Sequence, residues 1–127
     1  KEKCNLIITY RVEKEKAEEI GSKCEKLGSK VMVIKLDVTD DKNIKTALAK
    51  MKNIDILINN AGTAITNPFH KATTGDIETQ LRINVEGLFK LTHACLKKDI
   101  SMVINNLQTQ YHDTKCNHKG WKLIQHK

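Results

Sequence analysis

The sequence predicts an α/β fold, a doubly wound parallel sheet with helices on both faces, built as one domain over residues 1–127. Three observations predict it. Short runs of nearly continuous apolar residues, as strands buried on both faces require, alternate along the chain with amphipathic stretches of helical period. The length is that of one ordinary domain, which buries only roughly two-thirds of its unfolded surface and holds one hydrophobic core. The composition, 39% apolar and 29% charged, excludes a disordered tail, a collagen-like repeat and a low-complexity segment.

The elements follow in order. Asn5-Leu-Ile-Ile-Thr-Tyr10 is a β-rich apolar run, hence a strand. Val12 to Leu27 carries Ala17, Ile20, Cys24 and Leu27 on one face amid Lys and Glu, a helix that Gly28 stops. A second cycle has Val31 to Leu36 as strand, Asp37-Val-Thr-Asp40 as turn and cap, and Ile44, Ala47, Leu48 and Met51 as the helix stripe. Asp55-Ile-Leu-Ile-Asn59 opens a third. A loop with Ala61-Gly62 and the single proline, Pro68, leads to a long helix from about Thr74 to Lys98, striped by Ile77, Leu81, Val85, Leu88, Leu91 and Cys95. Ser101 to Asn105 is the next strand, and the remainder reads as a basic, helical tail.

The 22 Lys and Arg against 15 Asp and Glu give +7, which raises a polyanionic partner as a question. The Lys residues interleave with Glu on the predicted helices, as solvated outer faces do, and 4% aromatics are too few for base-stacking platforms, so no nucleic-acid partner is expected. No apolar run approaches the ~20 residues of a membrane span, so neither membrane insertion nor export is expected. Cys4, Cys24, Cys95 and Cys116 form no C-x-x-C pair and read as reduced, mostly buried thiols of a cytoplasmic protein. His112, Cys116 and His118 lack a fourth ligand, so no metal site is expected.

In a doubly wound sheet ligands bind outside the carboxyl ends of the strands, so the residues just after each strand matter most. Arg11 follows the first of these strands, Asp37 the second and Asn59-Asn-Ala-Gly62 the third. Gly62 permits close backbone approach to a ligand, and the paired Asn amides can tie neighbouring strand ends together through backbone groups. Each alone reads as an ordinary turn or helix-start residue. In order, however, Asp37-Val38, Asn59-Asn-Ala-Gly62, Asn84-Val inside the long helix and Tyr111-His-Asp-Thr-Lys115 beyond the last strand resemble the short-chain dehydrogenase/reductase family. The likeness runs clearly to about Leu96 and more loosely to Leu123, with Gly120-Trp121 falling where the family has Gly and a large apolar residue. Asn67-Pro-Phe-His-Lys-Ala ahead of Asp76-Ile-Glu-Thr resembles the branch acting on 3-hydroxy acids and β-hydroxy amino acids such as serine.

The resemblance implies a Rossmann-like NAD(P)-binding domain and hydride transfer between NADP(H) and a small-molecule alcohol or carbonyl substrate. Tyr111 is then the acid/base, Lys115 lowers its pKa and holds the nicotinamide ribose, and Asn84 anchors the water of a proton relay. Asp37 and Val38 contact the adenine, and Asn60, Ala61 and Gly62 line the cofactor groove. Arg11 stands where an acidic residue would favour NAD, and suits the 2′-phosphate of NADP instead. The long helix packs on a second copy in this family, so a homo-oligomer is implied.

Three departures from the family pattern are visible. The chain begins at Lys1, just before what corresponds to the family's second strand, without the first strand and its Gly-rich pyrophosphate turn. Asn105-Asn106 stands where the catalytic Ser segment is expected, only five residues ahead of Tyr111. The C-terminal strand and substrate helices are not in the sequence. The domain is therefore expected to be partial, with a sheet that must split or re-pair and open edges that invite association. A non-catalytic interaction module built on the same scaffold is the alternative expectation.

Overall fold

The computed structural model describes residues 4–64, 68–98 and 100–106. Leu6–Tyr10 forms β1 and Val31–Lys35 forms β2, paired in parallel with Leu6 opposite Val31 and Tyr10 opposite Lys35. Helix α1, Lys14–Lys26, crosses between them and ends at Gly28, whose φ of 94° lies in the left-handed region open to glycine. There the Gly28 amide donates to the Glu25 carbonyl and the Ser29 amide to the Cys24 carbonyl, satisfying the last turn. The face α1 turns to the sheet is not quite the predicted one. Ala17 and Gly21 are its buried residues, whereas Ile20 and Leu27 are 52% and 70% exposed. Gly21 lets the helix lie so near β2 that a Cβ there would stand 3.2 Å from Val31 Cγ1, and that contact sets the rotation of the helix.

Helix α2, Asp41–Lys50, is capped by Asp40, whose carboxylate accepts from the amides of Lys42 (2.8 Å) and Asn43 (3.1 Å). It packs on the opposite face of β1–β2 from α1. Ile34 and Leu36 meet Ile44, Ala47, Leu48 and Met51 there, and Leu91 and Cys95 of the long helix complete the core. Helices thus cover the two faces of this strand pair, as a doubly wound sheet requires.

β3, Ile56–Asn59, pairs in parallel with β4, Met102–Asn105, with Ile56 opposite Met102 and Asn59 opposite Asn105. The connection between them is the long helix. It starts at a capping box in which the Asp76 amide donates to Thr73 Oγ1 (3.1 Å) and the Thr73 amide to the Asp76 carboxylate (2.9 Å). It is not one regular α-helix. After α3, Thr74–Leu81, six residues Arg82–Gly87 form a π-helical turn before α4, Leu88–Cys95, and a final 3₁₀ turn Leu96–Lys98. Of the predicted stripe, Leu91 and Cys95 are buried while Ile77, Leu81 and Val85 are exposed; within the π-turn it is Ile83 and Gly87 that face the core instead.

The sheet is split. β1–β2 and β3–β4 are two separate two-stranded sheets among the described residues, the first of the two outcomes foreseen. The β1–β2 ladder is bounded by Leu6 N–H to the Lys30 carbonyl and Leu36 N–H to the Tyr10 carbonyl. By parallel-ladder alternation the backbone groups of Ile7 and Thr9 therefore face away from β2. Nor, among the described residues, is β3–β4 covered on both faces. Leu57 packs toward α4, while Ile56, Ile58, Met102 and Ile104 share the other face at 43–61% exposure.

The interleaved charges do pair on the helix surfaces, as Lys14–Glu18, Lys23–Glu19 and Lys90 with both Glu86 and Asp41. Cys4 is exposed, against the expectation of buried thiols; Cys24 is half-buried and Cys95 buried, all three free. Among the described residues no helix is long and apolar enough to cross a membrane.

Gly87 is the tightest contact. A Cβ there would lie 2.6 Å from Val38 Cγ2 and 3.1 Å from the Val38 carbonyl oxygen. Gly87→Ala is expected to lower stability by about 1–3 kcal/mol despite the better helix propensity of alanine, and Val38→Ala to recover part of that loss. Urea denaturation of the two single variants and the double variant checks this. Additive losses would show that the helix does not depend on this contact.

Candidate functional site

Asp37, Val38 and Thr39, after β2, and Thr63, on the loop after β3, are tied to one structural element, the π-turn Arg82–Gly87. A π-turn inserts one residue into the helical ladder and locally widens it, a distortion frequent at functional sites. Here three of its residues reach two different loops. Asn84 clamps the loop after β3, with the Thr63 amide donating to Asn84 Oδ1 and Asn84 Nδ2 donating to the Thr63 carbonyl, both at 2.8 Å. Gly87 lies on Val38, and Arg82 Nη2 donates to the Thr39 carbonyl at 3.5 Å.

Asp37 heads the loop after β2. Its Oδ1 accepts from the Thr39 amide (2.9 Å) and the Thr39 hydroxyl (2.7 Å), and its own amide donates to Asn43 Oδ1 (2.6 Å). Those two bonds from Thr39 hold its carboxyl below the usual carboxylate range, with the Arg11 and Arg82 guanidiniums adding to the effect against partial burial. Asp37 Oδ2 has no hydrogen bond among the described residues. Arg11 follows directly on Tyr10, whose carbonyl accepts from Leu36, so the chain brings it beside Asp37. Val38 turns its side chain into the core against Gly87, leaving its backbone as the part a ligand could meet.

After β3 the paired asparagines divide their work. Asn59 is buried, and its Nδ2 donates to Thr92 Oγ1 (2.9 Å) and to Asn105 Oδ1 (2.8 Å). Asn60 is exposed, and its Oδ1 accepts from Asn106 Nδ2 (2.7 Å). The amides tie strand ends together, but side chain to side chain rather than through backbone groups. Asn105, Asn106 and Thr92 are thus parts of the site that sequence reasoning passed over. The readable signal was the repetition of Asn-Asn at the ends of two strands that the topology makes neighbours.

Gly62 is exposed, and among the described residues a Cβ there would meet only Asn84 Oδ1, at an ordinary 3.5 Å. Ala61 is exposed too, and Gly62 lies beside Asn84 of the π-turn. A guanidinium and a carboxylate with one oxygen free among the described residues, close together after β1 and β2, can bind an anion and a hydrogen-bond donor side by side. No group of three His, Cys, Asp or Glu that could hold a metal occurs among the described residues. Tyr111 and Lys115, like His112, Cys116 and His118, lie outside them.

The family model for short chain dehydrogenases matches residues 1–106. Serine 3-dehydrogenase of Rhizobium radiobacter is 32% identical over 106 residues, 76% of this chain and 43% of that protein. The NADP-dependent 3-hydroxy acid dehydrogenase YdfG of Shigella flexneri is 40% identical over 77 residues, 57% of this chain and 31% of that protein. Among solved structures, the closed form of serine dehydrogenase complexed with NADP+ superposes with a TM-score of 0.67 at 34% identity, covering 80% of this chain and 43% of that one. The chain spans less than half the length of each of these relatives.

Because the folded-state pKa of Asp37 is depressed, its ionised form contributes stability above the unfolded value of about 3.9, and the contribution is lost as pH falls through the folded value. Asp37→Asn is therefore expected to be less stable than wild type at pH 6, with the gap narrowing below about pH 4. Thermal melts at the two pH values read this directly. A gap independent of pH would remove the carboxylate charge from the account.

Proposed function

The chain belongs to the short-chain dehydrogenase family, and from that premise we propose that it forms the adenosine-binding part of an NADP-dependent oxidoreductase. The observation that carries the reading is that the loops after β2 and β3 meet one π-turn: Asn84 bonds Thr63 and lies beside Gly62, Gly87 packs on Val38, and Arg82 bonds Thr39, which fixes Asp37. In this reading Arg11 receives the 2′-phosphate, which a guanidinium binds through paired donors. Asp37 Oδ2 accepts from the adenine amine, the Val38 backbone lies along the ring, and Asn60, Ala61 and Gly62 line the groove.

The chemical roles follow the family pattern. Tyr111 gives or takes the proton at the substrate oxygen, and Lys115, one helical turn on, stabilises the phenolate and binds the nicotinamide ribose. A tyrosine with an ordinary pKa near ~10 needs such a cation to work near neutrality. Asn84 anchors a relay water while its side-chain amide braces Thr63. When bound, the nicotinamide supplies the hydride acceptor or donor for the carbinol carbon. The substrate class is a 3-hydroxy acid or a β-hydroxy amino acid, supported by the names of the two relatives above. A cytoplasmic setting belongs to the same reading, supported by Cys4, Cys24 and Cys95 as free thiols.

A second reading is favoured by a specific observation. Ile77, Leu81, Val85 and Phe89 recur every four residues along the long helix and are 37–68% exposed, as an association surface would be. A homo-oligomer through this helix is compatible with the enzyme. A stable oligomer without cofactor response would make the chain an interaction module instead.

Titration of the full polypeptide with NADPH and NADH, followed by cofactor fluorescence, separates the two. The enzyme reading expects saturable binding with NADPH the tighter ligand. It further expects Tyr111→Phe to abolish turnover of a 3-hydroxy acid while leaving NADPH binding intact. Absence of any NADPH response, with a defined oligomer by light scattering, would favour the module; unchanged turnover in Tyr111→Phe would remove that residue from the mechanism.

A further inference from the structure

We propose that Arg82 is a second guanidinium for the adenosine 2′-phosphate, acting with Arg11 from the opposite side of the Asp37–Thr39 turn, and so a determinant of NADP over NAD. The inference rests on the cofactor reading above and extends it to a residue on the long helix, far in sequence from the strand that carries Arg11. Three observations place Arg82 there. Its Nη2 lies 3.5 Å from the Thr39 carbonyl oxygen, on the turn whose Thr39 amide and hydroxyl fix Asp37. Its backbone belongs to the same π-turn as Gly87, which packs on Val38, so it cannot drift from that loop without unpacking the helix. Arg11, next after β1, acts on the same carboxylate through its charge.

The charges at this corner make a second arginine more than decoration. Asp37 carries one negative charge, and Arg11 alone would only balance it, leaving no net attraction for a dianionic phosphate. With Arg82 the group is positive by one. Of the neighbouring acids, Asp40 keeps its charge but faces the positive N-terminal end of α2, which offsets part of it, and Asp41 is paired with Lys90. Arg82 is exposed, and its one hydrogen bond among the described residues is long, so most of its five donors remain available. A guanidinium held by its backbone but free at its tip can turn to a phosphate without breaking a structural contact.

The test compares two probes that differ only in the 2′-phosphate, adenosine 2′,5′-bisphosphate and adenosine 5′-monophosphate, by calorimetry on the full polypeptide. Wild type is expected to prefer the bisphosphate. Arg82→Ala is expected to weaken it by roughly tenfold, the loss of one charge-assisted contact at an exposed site, with the monophosphate affinity unchanged. Arg82→Lys should recover part of the preference, since a point charge replaces a fork. Equal losses for both probes in Arg82→Ala would mean a structural role, and unchanged affinities for both would mean none; either overturns the inference while leaving the cofactor reading standing. Failure of wild type to bind either probe would overturn both.

Discussion

At Gly87 the long helix comes closer to the loop after β2 than any residue with a side chain would allow, and much of the site depends on that approach. Val38 fills the space a Cβ would take, which fixes the helix in both height and rotation over the strand ends. From that fixed position Asn84, three residues earlier, reaches both backbone groups of Thr63, and Arg82, five residues earlier, reaches Thr39. A regular α-helix turns 100° per residue, whereas the π-turn redistributes these positions. One helical segment therefore serves two loops that belong to two separate sheets.

The same contact explains why the two sheets sit on a shared core although no strand joins them among the described residues. α2 and α4 bridge the gap: Ile34 and Leu36 from β2 and Leu57 from β3 meet the same cluster of Ile44, Ala47, Leu48, Met51, Leu91 and Cys95. Lys98 adds a polar tie, its Nζ donating to the Met51 carbonyl at 2.6 Å. The helical layer is continuous where the strand layer is not. Strand pairing supplies local order, and the helices supply the long-range position.

How much of this could be read from residues alone varied with the physics behind each feature. Strand and helix order was legible because apolar period is a local property, and Asp40, Thr73 and Gly28 act as punctuation within a few residues of themselves. The sheet-facing side of α1 was not, since Gly21 contributes no apolar atoms and earns its place only by letting β2 approach. The π-turn was hidden for a related reason: Arg82 to Gly87 has ordinary helix composition, and the irregularity comes from tertiary demands at Thr63 and Val38. Asp37, Arg11 and the Asn-Ala-Gly loop stood out because a strand's carboxyl end is a defined place. The partners of Asn59 and Asn60, namely Thr92, Asn105 and Asn106, and Arg82 as the partner of Thr39 lie more than thirty residues away in the chain and meet them only once β4 and the long helix are in place.

The asparagine pairs show why that spacing matters for the crevice. Asn59 gives both amide protons to groups on other elements, Thr92 and Asn105, so its side chain is fully used as a donor and locked inside. Asn60, one residue on, points to the other side of the strand by the two-residue period and makes its bond to Asn106 in the open. The inner pair sets the distance between the strand ends, and the outer pair presents unspent amide donors and acceptors at that distance. Strand ends assembled this way keep their spacing through the buried bonds, while the exposed Asn60–Asn106 bond can exchange with water without disturbing the buried pair.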